Sequence, residues 1–159
     1  MSDKASLKNL LKSYQDIVKD PKKFKKDFVP FVVGLFRIKD KKNASVKQLY
    51  SKSDDLYEKV KPTCTQNEFV LLWSYMLHLH CTFDNLEKSD FYLEKIEQYA
   101  KVNGLPIYKN GKSSLHFDFI LSLDEYATLQ SKFEHDQHYK ENILAKIDYL
   151  LDLVDVKGQ

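Results

Sequence analysis

Apolar residues recur at spacings of three and four along most of this chain, and that rhythm constrains the fold more than any other feature. Leu7, Leu10, Leu11, Tyr14, Ile17 and Val18 set it first, with Lys8, Lys12, Gln15 and Lys19 on the other face. An α-helix brings positions three and four apart onto one side, so residues 6–19 read as an amphipathic helix. The rhythm returns in 45–61, through Val46, Leu49, Tyr50, Leu56, Tyr57 and Val60, and stops before Pro62. It returns again in 85–102 and in 139–155, where Tyr139, Ile143, Leu144, Ile147, Leu150, Leu151 and Val154 form the stripe. Phe69 to Phe83 is apolar nearly all round and is predicted to be the most buried helix.

Local signals place the boundaries. Thr65-Gln66-Asn67-Glu68 has capping-box spacing, in which the hydroxyl and the carboxylate satisfy backbone donors at a helix start. Asp84 or Asn85 is predicted to cap the next helix, which Gly104 ends. Asp20-Pro21 reads as a cap and first helical position for a helix through Phe24 and Phe28. Pro30 is predicted to end that helix at Val29 or kink it. Phe31 to Ile38 has strand-like side chains but no partner strand nearby, and is read as helix. Around Lys109-Asn110-Gly111-Lys112 the pattern supports either a hairpin or a helix through Leu115, Phe119, Leu123, Tyr126, Leu129 and Phe133, the helix being preferred. The expected fold is all-α: one domain over residues 1–159, a compact bundle of about six to seven antiparallel amphipathic helices, with a short β-hairpin near 107–119 as the alternative there.

Composition narrows the class further. Only 4 Gly and 4 Pro in 159 residues, with 43 % hydrophobic and 30 % charged residues, argue against a turn-rich β fold or a disordered chain. Two cysteines are too few for a secreted disulfide framework, the first residues lack a signal-peptide run, and the longest apolar stretch, Phe28 to Ile38, is interrupted by Pro30 and Gly34. A cytoplasmic location without membrane insertion is therefore expected.

The net charge of +2 conceals a polarity. Residues 1–48 hold 13 Lys/Arg and 5 Asp/Glu, and the remainder holds 12 against 18. Lys22, Lys23, Lys25, Lys26, Lys39, Lys41 and Lys42 form the basic third and could contact nucleic-acid phosphates. Arg37 is the single arginine, however, which disfavours bidentate base readout. The chain also carries 10 Tyr and 10 Phe. Tyr50, Tyr57, Tyr92, Tyr99 and Tyr108 are expected at partly exposed positions, where tyrosine serves protein interfaces well. With neighbouring acids they predict an acidic, tyrosine-bearing surface: Asp54, Asp55 and Tyr57, with Glu87, Tyr92, Glu94 and Tyr99.

Chemistry-bearing clusters are sparse. His78, His80 and Cys81 are metal-capable residue types, but His78 and His80 lie about 200° apart on a helix, and only His78 and Cys81 share a face. A second set, Glu134, His135 and His138, falls near the last loop. Cys64 precedes a helix start, where the dipole could lower its pKa. No nucleophile elbow, P-loop, zinc-protease or dinucleotide motif is present. The expectation is a non-catalytic protein without metal or cofactor.

One segment resembles a known family. Counting from Trp73, the residues Leu86, Ser89, Leu93 and Ile96 fall 13, 16, 20 and 23 positions on, as in a tetratricopeptide repeat, and Asn85-Leu86-Glu87-Lys88-Ser89 reads like the start of its second helix. The resemblance covers one repeat, residues 69–102, and implies a helical protein-binding scaffold. The sequence thus points to a protein-interaction module, such as an inhibitor, immunity-type antagonist or regulatory adaptor, with a nucleic-acid-binding regulator as the alternative.

Overall fold

A computed structural model of the chain describes residues 3–103 together with Tyr126 and Leu129. The alternatives at 105–121, the helix at 139–155, Tyr108, and the set Glu134, His135 and His138 lie outside the described residues. Those described are helical, with no strand among them. They run α1 (Asp3–Lys19), α2 (Phe28–Arg37), α3 (Ala44–Ser51), α4 (Ser53–Val60), α5 (Gln66–Thr82) and α6 (Leu86–Asn103), with single 3₁₀ turns at Lys25–Asp27 and Lys61–Thr63. By contacts the chain divides into two compact units, Met1–Phe69 and Val70–Gln159.

In the first unit α1 packs on α2, α3 and α4. Its core is Leu10 and Ile17 of α1, Phe28, Phe31, Val32 and Leu35 of α2, and Val46, Leu49, Leu56, Tyr57 and Val60 from α3 and α4. Each fully buried aliphatic or Phe side chain contributes about 1.5–3 kcal/mol through removal from water. Gly34 allows α1 and α2 to approach closely: a Cβ built there would meet Leu10 Cδ2 at 2.6 Å. Nearby, the rings of Tyr14 and Phe31 sit 6.5 Å apart.

Three boundaries differ from the sequence expectations. Asp20 does cap, its Oδ1 accepting the Lys23 N–H at 3.1 Å. The segment after it, however, is a turn and a 3₁₀ stretch, and the α-helix starts only at Phe28. Pro30 therefore falls in the first turn of α2 and neither ends the helix nor breaks it. The donor it lacks is one that a first turn leaves without an intrahelical partner. The expected single helix at 45–61 is divided at Lys52. There the Ser53 hydroxyl donates to the Tyr50 carbonyl at 2.7 Å and the Ser51 hydroxyl to Gln48 at 2.6 Å, bonds that compete with the regular ladder. Ser53 is fully buried, so its hydroxyl needs that partner.

In the second unit α5 and α6 form an antiparallel hairpin. Trp73 meets Tyr99, His80 meets Tyr92 and Cys81 meets Ser89, the partners descending α6 as they climb α5. Leu72, Met76, Leu77 and Leu79 face a core completed by Leu93, Ile96, Tyr126 and Leu129. The Tyr126 hydroxyl hydrogen-bonds Asp90. Two bonds close α5: Asn85 N–H to the His80 carbonyl at 2.9 Å and Asp84 N–H to Cys81 at 3.2 Å. This is a Schellman turn, and it puts Asp84 at φ 57, where glycine is usual. Of the two predicted caps for α6 it is Asn85 that acts, its Oδ1 accepting the Lys88 N–H at 3.1 Å.

Candidate functional site

One turn of α-helix advances about 3.6 residues, so Glu87, Phe91, Glu94 and Gln98 share a face of α6. All four are exposed, opposite the buried Ser89, Tyr92, Leu93 and Ile96. Phe91 keeps 46 % of its surface in water. Its ring lies edge-on to Tyr92 at 5.0 Å, and the ammonium groups of Lys88 and Lys95 sit 5.9 and 4.7 Å from its centroid. On the same face Gln98 Nε2 donates to the Glu94 carboxylate at 3.3 Å. The result is an apolar ring held by its neighbours, with acids above and below and lysines along one flank. Such a ring offers area and a fixed geometry to a partner while losing little rotamer freedom.

The tyrosines expected on this surface divide. Tyr57 and Tyr92 are each 2 % exposed and belong to the two cores, which corrects the expectation that they are partly exposed. Tyr57 lies three residues before the buried Val60, on the same side of α4, and Tyr92 stacks on His80 with planes 11° apart. Ring area outweighed the hydroxyl in both. Tyr50 and Tyr99 are half-buried, Tyr99 edge-on to Trp73 at 5.9 Å. Asp55 is exposed and Asp54 half-buried in the first unit, and Glu87 and Glu94 are exposed in the second. Phe91 was missed in the sequence, although the spacing 87, 91, 94 and 98 marks an outer face.

The basic positions divide as well. Lys22, Lys23, Lys26, Lys39 and Lys42 are exposed, Lys23 lying 5.3 Å above the Phe24 ring. Lys25 instead ties the first unit together, donating to the Thr63 carbonyl at 3.1 Å and to Glu68 at 3.3 Å. Lys41 donates to the Ile38 carbonyl.

Glu68 holds the start of α5 from the other side. Its Oε1 accepts the Thr65 N–H at 2.8 Å and the Thr65 hydroxyl at 3.0 Å, so the carboxylate half of the capping box forms and the hydroxyl turns to the carboxylate. The Thr65 N–H holds the Glu68 carboxyl below the usual carboxylate range against the opposing effect of burial, and the Thr65 hydroxyl and Lys25 add to the lowering. Cys64 shows the reverse of the expected activation. Burial pushes its thiol up and the Glu68 charge adds to this, outweighing the bond to Thr63 and the charge of Lys25. The thiol donates to the Val60 carbonyl at 3.4 Å.

His80 and Cys81 are buried and His78 half-buried. Cys81 donates to the Ser89 hydroxyl at 3.4 Å, which itself donates to the Asn85 carbonyl at 2.8 Å. Among the described residues no three or more His, Cys, Asp or Glu gather as a metal group would require, and no helix is long and apolar enough to cross a membrane. No family model, curated protein or solved structure matches the chain.

Proposed function

We propose that this chain is a non-catalytic protein-interaction module, an inhibitor, antagonist or regulatory adaptor, that binds a protein partner through the outer face of α6. Phe91 carries the reading, as a large exposed ring held between Lys88 and Lys95 on a face it shares with Glu87 and Glu94. Burial of the remaining ring surface supplies affinity, and the surrounding charges supply register and select against wrong partners. The tetratricopeptide-like hairpin of α5 and α6 is the scaffold, within an all-α bundle of about six to seven helices in the cytoplasm.

The test is affinity capture from the native cell with nuclease treatment, comparing the unaltered chain with Phe91→Ala. A nuclease-resistant protein partner held by the first and lost by the second is the expected result, since truncating an anchor costs about 2 kcal/mol or more of binding. A partner retained equally by both removes α6 as the interface. The exposed trio Lys22, Lys23 and Lys26 favours a second reading, a nucleic-acid-binding regulator using phosphate contacts. It requires nuclease-sensitive capture and a salt slope that flattens when the three are neutralised.

A further inference from the structure

The apolar stripe of α1 is wider than the core it covers. Leu10 and Ile17 fill one edge of it and are buried, whereas Leu11 and Val18 on the other edge are 48 % and 39 % exposed. Leu11 of that edge, with Leu7, forms one wall of a cleft of about 380 Å³ and faces Leu49 across it. A second depression of about 270 Å³ adjoins it at Leu7 and reaches Val46. Together they make a groove between α1 and α3, its floor apolar and its α3 side edged by Asn43, Ser45 and Gln48.

Its rim is basic. Lys8 and Lys52 stand over the larger cleft and Lys4 over the smaller, against the one carboxylate of Asp40. Lys52 is fixed in place, its ammonium 5.0 Å above the Tyr14 ring. The unit around the groove has 16 Lys/Arg and 9 Asp/Glu, so its field has the same sign as the rim. An apolar floor along two helices fits leucine-type anchors spaced by one turn, and a lysine rim fits acids beside them. We infer that the α1–α3 groove docks an acidic amphipathic helix of a partner protein. This goes beyond the α6 reading and involves none of its residues, so the two fail separately.

The probe is a fluorescein-labelled helical peptide of about 14 residues, with leucines at i, i+3, i+4 and i+7 and glutamates on its flanks, titrated against the full chain. Saturable binding is expected, weakened about tenfold or more by Leu11→Glu and by Lys8→Glu. Both positions are exposed, and unchanged far-UV circular dichroism and melting establish that the variants are folded. Lys59→Glu, an equal charge change on α4 outside the groove, leaves the affinity within about twofold. The inference is overturned by absent binding, by binding that survives both variants, or by equal binding of the same peptide with lysine flanks. Leu11-dependent sedimentation with phosphatidylserine vesicles, without peptide binding, reassigns the groove to a membrane surface. Concentration-dependent self-association abolished by Leu11→Glu, again without peptide binding, reassigns it to a second copy of this chain.

Discussion

Glu68 shows how much one surface carboxylate can organise. It satisfies the Thr65 N–H, receives the Thr65 hydroxyl and pairs with Lys25, joining the start of α5 to the 3₁₀ turn that precedes α2. Because its folded pKa lies below its unfolded value, its contribution is fully present above the unfolded pKa, about 4.3, and is lost as pH falls through the folded pKa. Glu68→Ala is expected to lower stability by about 0.5–1 kcal/mol at neutral pH, the ion-pair part being discounted for its exposure. Urea titrations at neutral and strongly acidic pH check this, the difference between variant and unaltered chain closing in acid. The Thr65 and Glu68 pair was legible in the sequence because the motif is local. The cap at Asn43, which accepts from Ser45 and Val46, is equally local. Tyr57 and Tyr92 were misplaced for a different reason: residue type reports what a side chain can do, and phase along the helix reports where it goes.

At the scale of elements, α1, α5 and α6 followed from periodicity and caps to within a few residues. The division at Lys52 did not, because Val46, Leu49, Ser53, Leu56 and Val60 keep one helical phase across it and only hydroxyl bonding marks the break. Pro30 was misread because its effect depends on position: disruptive in a helix interior, tolerated in a first turn. The turn between α5 and α6 places a non-glycine residue, Asp84, in the left-handed region. Asp84→Gly relieves that strain at the expense of extra unfolded-state freedom, and a net gain of about 0.5 kcal/mol is expected as a higher urea midpoint with unchanged slope. The groove could not be read from sequence, since Leu7 and Leu11 look like ordinary members of a core stripe until α3 is in place beside them.

For the whole molecule, the charge division drawn at residue 48 keeps its sign when redrawn at the boundary of the structural units. Met1–Phe69 has 16 Lys/Arg against 9 Asp/Glu, and Val70–Gln159 has 9 against 14. The two proposed contacts therefore differ in their physics. Acidic-peptide binding at the α1–α3 groove should weaken severalfold as salt rises from about 0.05 to about 0.3 M, because its rim charges are exposed and screened. Repeating the fluorescence titration across that range checks the expectation. Between these scales sits Gly34, whose missing side chain lets Leu10 lie against α2. Leu10 occupies the same helix as Leu7 and Leu11, so whatever fixes the separation of α1 from α2 also fixes one bank of the groove. Position 34 is thus a spacer set from behind: a larger residue there must displace the Leu10 side chain, within one turn of the Leu7 and Leu11 that line the groove.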